Sequence, residues 1–422
     1  MTALPAQVSP LAGPRSAKPE ALGLSSERLA RLDRFLEERY IAPGKLPCAL
    51  TMVLRRGELA HTSILGKQDV ERNKPLQEDT LFRIYSMTKP ITSIAMMMLI
   101  EEGKVSLDDP VHRLIPAWRN LGVYVAGRTG MWQTKRTDAP MRVIDLLRHT
   151  SGLTYGFQVH TNVDHAYRKA ALDDPTANTI EEFIAKLAEL PLEFSPGSAW
   201  NYSVSTDVLG YLVEKVSGQR FEDFLRDRIF KPLGMHDTFF HVPESEHKRF
   251  ASCYTLLPGG KTVLQDDAEK SAYLAPKKMC SGGGGLVSTA ADYLQFCRML
   301  LNGGELNGHR IVSPKTIELM TKNHLPEGKE LMEVSKSLFS EAIYAGVGFG
   351  LGFAMTTDLA RTQNMGTLGE YWWGGMASTA FWVDPKEDLT VVFMTQLMPS
   401  HSYPIRRELR TLIYSALTES NV

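Results

Sequence analysis

The chain has 422 residues, 43% of them hydrophobic, which is an ordinary globular composition with enough apolar material for a large core. Its 47 basic and 48 acidic side chains leave a formal net charge of −1, and no long charged block indicates nucleic acid or an anionic membrane as a partner. The four cysteines include no CxxC pair, so they are too few for a disulfide scaffold and favour reduced thiols.

The chain is predicted to start with a flexible arm over residues 1–20, where proline and alanine are frequent. This stretch has no basic start followed by an apolar core, as a secretory signal would have. The later apolar run SIAMMMLI is much shorter than the ~20 residues of a membrane span. We therefore expect a cytoplasmic protein without a membrane partner.

A helix and a hairpin follow the arm. Apolar residues recur at helical spacing behind Ser25 and Ser26, two residues that favour the N-cap. The stretch CALTMVLRRGELAHTSILG, residues 48–66, predicts two strands joined by a tight turn at Arg56-Gly57. Strands are therefore expected near the start of the chain.

Helices dominate the next part. One is predicted from about Ser86 to Glu102, where Gly103 ends it. Residues 106–279 are predicted to be mostly helical. The predicted helices lie in MRVIDLLRHTSGL, which ends at Gly152, and in TIEEFIAKLAEL, STDVLGYLVEKVSGQ and RFEDFLRDRIFKPLGM.

Strands return late, in STAFWVDPKEDLTVVFMTQ, where the turn at residues 385–388 separates two apolar runs as in a hairpin. A final helix is predicted in RRELRTLIYSALTE. The whole pattern predicts an α+β domain made of residues 21–105 and 280–422. It carries a mostly helical lobe, residues 106–279, with a cleft at the junction.

The stretch LFRIYSMTKP carries the first chemical signal. Pro90 is tolerated only in the first turn of a helix, so a regular helix can hardly begin before Ser86. The Ser86 hydroxyl then lies beside free N–H groups, and Lys89 follows one turn later on the same face. To act as a base near pH 7 this lysine needs a pKa about 3 units below its usual value, which burial can supply. A serine cap followed by a surface lysine is the alternative.

Two further stretches could belong to the same site. In FSPGSAWNYSVSTDVLG, Tyr202 follows a turn and precedes a helix, and its phenol can relay a proton if a nearby cation lowers its pKa. An ordinary half-buried tyrosine fits this position too. In EYWWGGMASTAFWVD, Gly374 and Gly375 begin a late strand, which indicates close approach of another backbone or a ligand, or a bulge.

Together the three stretches resemble the penicillin-recognising serine hydrolases, namely class C β-lactamases, D-alanyl peptidases and family VIII carboxylesterases. That group has Ser-x-x-Lys, then Tyr-x-Asn or Tyr-Ser-x, then Lys-Thr-Gly or Trp-Gly-Gly on an edge strand. The matching motifs are Ser86-Met87-Thr88-Lys89, Tyr202-Ser203-Val204 and Trp373-Gly374-Gly375. The flanks LLRHTSGL, FSPGSAWNYS and SGGGGLVSTAADYLQF are also similar, so the resemblance covers about residues 20–418.

The resemblance implies a β-lactamase/penicillin-binding-protein-like fold, with an antiparallel sheet flanked by helices and an active site in the cleft. It makes Ser86 the acyl-accepting nucleophile, and Lys89 and Tyr202 the shared base and proton relay. The backbone N–H groups of Ser86 and Met376 would form the oxyanion hole. Acyl transfer requires the same parts, a nucleophile, a base in reach and two donors for the developing charge. No metal or organic cofactor is implied.

Other residues receive less direct roles. By resemblance, Trp373, Gly374 and Gly375 would bind the substrate. Tyr155 is expected to line the cleft. Asp207, on the helix after Tyr202, resembles an aspartate behind the catalytic residues of the esterases, although a solvated or capping role fits equally well.

Two departures from the group's pattern bear on the substrate. Val204 stands where an asparagine would offer an amide, and Trp373 begins a triplet that lacks the lysine and threonine used to hold a lactam carboxylate. Both changes favour neutral, short-chain carboxylic esters as small-molecule substrates. A β-lactamase, a D-amino-acid amidase or peptidase, and an acyltransferase remain alternatives on the same scaffold. A catalytically inactive scaffold is less favoured because it would need none of the three catalytic residues.

Other catalytic motifs are missing from the sequence. No Gly-x-Ser-x-Gly occurs, so the nucleophile elbow of the α/β-hydrolases is absent. No HExxH pair is present either. His149 is interpreted as a structural histidine rather than a triad base. Residues 282–285, four glycines, are interpreted as a tight turn near the cleft because the context of a phosphate loop is missing.

Overall fold

The computed structural model describes residues 13–422, so residues 1–12 of the predicted arm lie outside the described residues. The strands are β1 (Cys48–Arg55), β2 (Glu58–Asp69), β3 (Lys74–Pro75), β4 (Phe82–Arg83), β5 (Val123–Arg128), β6 (Met131–Lys135), β7 (Cys253–Leu256), β8 (Thr262–Asp266), β9 (Val287–Ser288), β10 (Glu305–Leu306), β11 (His309–Arg310), β12 (Val347–Phe349), β13 (Ala354–Thr356), β14 (Tyr371–Gly374), β15 (Ala380–Asp384), β16 (Leu389–Met394) and β17 (Leu397–Met398). The helices are α1 (Ser26–Leu36), α2 (Thr88–Glu101), α3 (Val143–Leu147), α4 (Asn162–Lys169), α5 (Ile180–Ala188), α6 (Ser205–Ser217), α7 (Phe221–Leu225), α8 (Lys231–Leu233), α9 (Ala290–Leu301), α10 (Pro314–Met320), α11 (Leu331–Val334), α12 (Leu359–Thr362) and α13 (Ile405–Tyr414).

An antiparallel sheet forms the centre of the fold, with the strand order β12-β13-β14-β15-β16-β1-β2-β3. Both predicted hairpins are confirmed. β1 and β2 join through Arg56 and Gly57, whose φ angles of 52° and 78° belong to the left-handed region that a tight turn uses. β15 and β16 pair in the same way around residues 385–388.

Helices cover both faces of the sheet. Side chains alternate along β1, so that Val53 packs with Leu32 of α1 and Leu409 of α13 on one face. Met52 belongs to a larger core on the opposite face, together with Ile94 of α2. Because β1 is buried on both sides, it reads as a continuous apolar run, as expected for a central strand.

The helix predicted after Ser86 is confirmed. A single 3₁₀ turn, Tyr85–Met87, leads into α2, and Pro90 lies in the first turn, where its missing N–H is harmless. The chain leaves α2 at Gly103, which has a φ of 68°. All but the last two residues of α2 are buried, so this helix is a core element with its N-terminal end at the candidate site.

Helices also follow the predicted order through residues 143–233, with one difference. The helix in MRVIDLLRHTSGL ends at Leu147 instead of Gly152. The Asp145 carboxylate accepts hydrogen bonds from Arg148 and Thr150, at 2.9 Å each, and these local bonds replace the helical ones. His149 then takes a left-handed φ of 58°, which turns the chain away from the helix axis.

The segment predicted as a mostly helical lobe also contains two antiparallel hairpins, β5–β6 and β7–β8. β7 pairs in parallel with β17, which lies in the late part of the chain. The division at residues 106 and 279 therefore remains a prediction. These strands are short and half-exposed, so their composition gives little periodic signal.

The last part of the predicted arm, residues 13–20, contacts β2. Leu59 donates its N–H to the Arg15 carbonyl at 2.8 Å and accepts a bond from the Ala17 N–H at 3.1 Å. A 3₁₀ turn, Pro19–Leu22, follows and buries Leu22 in the core beneath α1. Within residues 13–422, no helix combines the length and the apolar character that crossing a bilayer requires.

Candidate active site

The site is built on the sharp turn before α2. Tyr85 has a φ of 42°, a left-handed conformation that a bulky residue rarely adopts. Strain of this kind persists only where the surrounding structure enforces it, and it is common at functional residues. The turn carries Ser86 at the N-terminal end of a buried helix, with 8% of its surface exposed.

Three predicted residues meet at the Ser86 hydroxyl. Lys89 Nζ lies 3.1 Å from Ser86 Oγ, and the Tyr202 hydroxyl donates to the same oxygen at 2.6 Å. The Lys89 ammonium also lies 4.6 Å from the centre of the Tyr202 ring. Tyr202 comes from the loop before α6, 116 positions along the chain from Ser86. The fold therefore brings an amine and a phenol within hydrogen-bond distance of the Ser86 hydroxyl.

The environment of Lys89 makes its neutral form more accessible near neutral pH than that of a solvated lysine. The side chain is fully enclosed, with 2% of its surface exposed, and this burial lowers the pKa of Lys89 to about 8. The negative charges of Asp207 and Glu341 oppose the shift. Lys89 Nζ donates to the Gly283 carbonyl at 2.6 Å, a bond that the neutral amine can also make. Its lone pair is then available to Ser86.

Tyr202 behaves differently from the sequence-based expectation of a pKa lowered by a cation. Burial, with 1% of the surface exposed, raises the pKa of Tyr202 well above its usual range, and the Glu341 charge adds to the effect. The rings of Tyr155 and Trp373 pack against it, with centroids 5.3 and 5.5 Å away. Tyr202 is therefore a protonated phenol, suited to donate a proton.

Two backbone N–H groups, those of Ser86 and Met376, lie in turns at the candidate site. Within residues 13–422, neither the Ser86 nor the Met376 N–H donates to another protein group. Ser86 lies in the turn before α2, and Met376 lies in the turn after β14. These are the two predicted oxyanion-hole donors, and their unused N–H groups suit that role.

The two glycines after Trp373 allow two close approaches. A Cβ at Gly375 would lie 2.4 Å from the Ile84 carbonyl, two residues before Ser86. A Cβ at Gly374 would lie 2.4 Å from a guanidinium nitrogen of Arg406. Neither glycine has a φ in the left-handed region, so space rather than conformation requires them. The sequence allows a nearby backbone, a nearby ligand or a bulge as the reason for these glycines. The contact with Ile84 fits a nearby backbone at Gly375.

The predicted substrate-binding side chains lie deeper than expected. Trp373 has only 1% of its surface exposed and packs behind Tyr202 and against Phe349, so its indole does not form an open wall of the site. The reason is strand alternation, which turns Trp373 toward the main core and Trp372 toward α13. Tyr155, 7% exposed, lies beside the site, with its ring 5.2 Å from Lys89 Nζ.

Asp207 binds the glycine-rich turn that contacts Lys89. Its carboxylate accepts bonds from the Ser281 hydroxyl at 2.5 Å and from the Gly283 N–H at 3.0 Å. The Gly283 carbonyl in turn accepts from Lys89. The glycine run at 282–285 is thus a turn at the site, as expected from the sequence, but its direct contact with Lys89 was not predicted.

His149 makes its hydrogen bond to Ser203 and not to Ser86. Its Nδ1 lies 3.2 Å from Ser203 Oγ, and its ring packs against Tyr202 at 5.2 Å and Phe349 at 5.6 Å. Burial holds the pKa of His149 well below its usual range. These contacts fit the structural role expected from the sequence.

Sequence reasoning missed the residues that enclose the site. Gln158 donates to the Tyr202 and Phe339 carbonyls at 3.3 and 3.1 Å, and the Phe157 and Phe339 rings meet 5.8 Å apart. Glu341 and Arg406 were missed as well. Glu341 and Arg406 come from different segments of the chain, and neither lies in a recognisable motif. Only the fold shows that they belong to one site.

The comparisons with known proteins agree with this geometry. The Beta-lactamase family matches residues 34–415. Protein Rv1367c of Mycobacterium tuberculosis is 35% identical, over 85% of this chain and 88% of its own length. Esterase EstB of Burkholderia gladioli is 29% identical, over 95% of this chain and 99% of its own.

A solved structure supports the same fold. Simvastatin Synthase (LovD) from Aspergillus terreus superimposes with a TM-score of 0.75 and 26% sequence identity. The match covers 95% of this chain and 98% of that one. The predicted fold class is therefore confirmed over nearly the whole chain.

Proposed function

The chain belongs to the β-lactamase family and is a serine hydrolase, and we propose that it cleaves short-chain carboxylic esters through an acyl-serine intermediate. The observation that carries the proposal is the position of Ser86 Oγ, 3.1 Å from a lysine amine and 2.6 Å from a tyrosine hydroxyl. A relative named as an esterase supports it.

In the proposed mechanism, neutral Lys89 takes the proton of Ser86 while Oγ attacks the ester carbonyl. The Ser86 and Met376 N–H groups stabilise the oxyanion. Tyr202 then gives its proton to the leaving alcohol and recovers one from the Lys89 ammonium. Water then attacks the acyl-serine, and Tyr202 and Lys89 transfer the protons in the reverse order. This step releases the acid and restores Ser86.

The preference for esters over lactams follows from missing polar groups. A lactam carboxylate needs a charge-assisted hydrogen bond, worth roughly 1.5–3 kcal/mol. Val204 and Trp373 occupy the two motif positions that would supply an amide and a cation, and both side chains are buried, with 1% exposed. A neutral ester with an acyl chain from about acetyl to hexanoyl has no such need.

The first experiment identifies the nucleophile. Wild-type protein and the Ser86→Ala variant are treated with a fluorophosphonate and assayed on p-nitrophenyl butyrate. We expect labelling at Ser86 and a loss of turnover on the order of 10⁴ or more in the variant, with the melting temperature retained. Ser245→Ala, at an exposed serine, is the control. Full activity of Ser86→Ala would exclude the proposed nucleophile.

The second experiment tests the substrate class. kcat/KM is measured on p-nitrophenyl butyrate and on nitrocefin under the same conditions. We expect efficient ester hydrolysis and weak or no lactam hydrolysis. Equal values, or a preference for nitrocefin, would contradict the proposed ester specificity and leave the nucleophile assignment unaffected.

Acyl transfer to an alcohol is the second candidate function. Ser86 is only 8% exposed, so an acyl-enzyme formed there is screened from water. Similarity to a structure titled as a simvastatin synthase also favours it. Adding an alcohol to the butyrate assay separates the outcomes, because transfer yields a new ester and hydrolysis yields only butyric acid.

A further inference from the structure

Arg406 reaches the proposed oxyanion turn from α13. One guanidinium nitrogen, Nη2, donates to the Gly375 carbonyl at 2.9 Å and to the Thr379 carbonyl at 2.8 Å. The turn itself is closed by bonds from the Gly375 N–H to the Thr379 carbonyl and from the Ser378 N–H to the Gly375 carbonyl. Because both ends of the turn are bound to one rigid group, the direction of the Met376 N–H inside it is fixed.

The first glycine of the pair makes this contact possible. The guanidinium lies directly against Gly374, where a Cβ would be 2.4 Å from Nη2 and 2.5 Å from Cζ. Three atoms of the Arg406 guanidinium lie within 2.8 Å of that position, so no side chain could be accommodated unless the arginine moved. Gly374, which the resemblance assigns to substrate binding, thus leaves space for the guanidinium of Arg406.

Glu341 holds Arg406 from the other side. Its carboxylate accepts from Nη2 at 2.7 Å, and its carbonyl accepts from Nη1 at 3.0 Å. The Glu341 side chain is fully buried, and the second carboxylate oxygen has no hydrogen-bond partner within residues 13–422. The Arg406 side chain is 19% exposed, and an ion pair whose acidic partner is fully buried is weak evidence for stability, because desolvation offsets the attraction.

The segment that carries Glu341, residues 337–342, also contacts the catalytic tyrosine. The Ser337 hydroxyl accepts from the Tyr202 N–H at 2.6 Å, and the Phe339 N–H donates to Gln158, which in turn donates to the Tyr202 carbonyl. We call residues 337–342 the cover segment. The ion pair therefore links the cover segment to the oxyanion turn.

We propose that Arg406 and Glu341 are positioning residues for acyl transfer, in which Arg406 orients the oxyanion turn through Gly375 and Thr379 and Glu341 anchors Arg406 to the cover segment. This inference rests on the proposed acyl-serine chemistry at Ser86. Neither side chain needs to touch the substrate. The effect is exerted through the Met376 N–H, which gains importance as negative charge develops on the carbonyl oxygen.

The chain offers a matched control. Arg410 lies one turn further along α13 and forms a second buried ion pair, with Glu370. Both arginines line the same cavity of about 370 Å³ between α13 and the sheet. Arg410 packs on the Trp372 and Trp382 rings and makes no bond to the oxyanion turn within residues 13–422. Removing it tests the loss of a buried arginine alone.

The first test compares Arg406→Ala with Arg410→Ala. We expect Arg406→Ala to lower kcat on the order of 100-fold with KM little changed, which is the loss seen when one oxyanion donor is removed. The rate of Ser86 labelling by a fluorophosphonate should fall in parallel. Arg410→Ala should lower only the melting temperature. Millimolar methylguanidinium, which the adjoining cavity can admit, should partly restore Arg406→Ala and leave Arg410→Ala unchanged.

Gly374→Ala provides a second variant should Arg406→Ala fold poorly. It keeps the arginine in the chain but displaces the guanidinium, and we expect the same fall in kcat. Equal kcat per folded enzyme in the Arg406, Arg410 and Gly374 variants would overturn the proposal. Absence of ester turnover in wild type would instead contradict the proposed function, and the labelling rates would still test the arginine.

Glu341→Gln adds a pH readout that reports the effect of the Glu341 charge on Lys89. The groups that face Lys89 are Asp207, Glu341, Tyr202, Tyr155 and His149. Of these, Asp207 and Glu341 raise the pKa of Lys89. Removing the Glu341 charge should therefore shift the acid limb of kcat/KM to lower pH. An unshifted limb, with kcat unchanged, would overturn the role of Glu341.

Discussion

At the scale of single residues, Lys89 is a buried amine, and its chemistry follows from that burial. Its Nζ bonds two uncharged partners, the Ser86 hydroxyl and the Gly283 carbonyl, and burial lowers the pKa of Lys89 to about 8. Only the neutral amine can accept the Ser86 proton. We expect log kcat/KM to rise with unit slope as pH increases toward about 8 and then to level. Lys89→Ala should lower kcat by several orders of magnitude. A profile controlled by a group near pH 6 would point to a histidine base.

The same burial destabilises the folded protein. The pKa of Lys89 is about 8 in the folded chain and 10.5 when unperturbed, so the folded state binds fewer protons between these values. Stability should therefore rise with pH from 8 to 10.5. Below pH 8 the full penalty applies, about 3 kcal/mol by linkage.

Lys89→Met removes that penalty while keeping a side chain of similar length. We expect the variant to be inactive and to melt at a higher temperature than wild type at pH 7, because no charge has to be buried. The gain is reduced by the lost bond to the Gly283 carbonyl. Thermal melts at pH 7 and pH 10 provide the measurement, with Ser86→Ala as the inactive control. A lower melting temperature for Lys89→Met at pH 7 would contradict the prediction.

At the scale of elements, the turn that carries Ser86 and the end of β14 are in direct contact. Gly375→Ala places a methyl group 2.3 Å from the Thr379 hydroxyl and 2.4 Å from the Ile84 carbonyl, so the turn that carries Ser86 and the turn after β14 must move apart. We expect a 10- to 1,000-fold lower kcat, on the order of other ~1 Å displacements in active sites. Gly369→Ala is the control, since open space surrounds that position, although its φ of 88° adds strain. Equal kcat for the two variants would contradict the predicted contact.

The elements that the sequence predicted share a clear apolar pattern. α1, α6 and α13 bury a regular apolar face, whereas α2, β1, β15 and β16 are largely apolar runs that are buried all round, and each was expected close to its observed range. α3 ended early because Asp145 forms local hydrogen bonds that compete with the helix. The hairpins β5–β6 and β7–β8 were missed because their strands are short and partly exposed.

At the scale of the whole molecule, the site combines segments far apart in the chain. Ser86, Lys89 and Tyr202 could be predicted because each lies in a motif with a fixed spacing. Arg406 and Glu341 could not, since their meeting depends on the packing of α13 and the cover segment against β14. The burial of Trp373 depends on which face of β14 turns inward, and a four-residue strand with three aromatic residues does not reveal it.

We also expect the enclosure of the site by distant segments to control whether the proposed acyl-enzyme reacts with water or with an alcohol. The Phe339 ring of the cover segment lies 5.8 Å from the Phe157 ring and 5.4 Å from the His401 ring, and Phe157 stacks on Tyr155 at 4.5 Å. These rings lie around the site that Tyr202 and Ser86 form. Removing one of them should admit water and weaken the apolar surface available to an alcohol.

We therefore expect Phe339→Ala to lower the ratio of alcohol transfer to hydrolysis when p-nitrophenyl butyrate is supplied with an alcohol acceptor. The neighbouring Leu338→Ala is the matched control, because that side chain is 66% exposed and belongs to the same segment. Product analysis of new ester against butyric acid gives the ratio, and the released p-nitrophenol gives the total turnover. If both variants changed the ratio equally, the effect would come from the segment as a whole, and the Phe339 ring would have no part in excluding water.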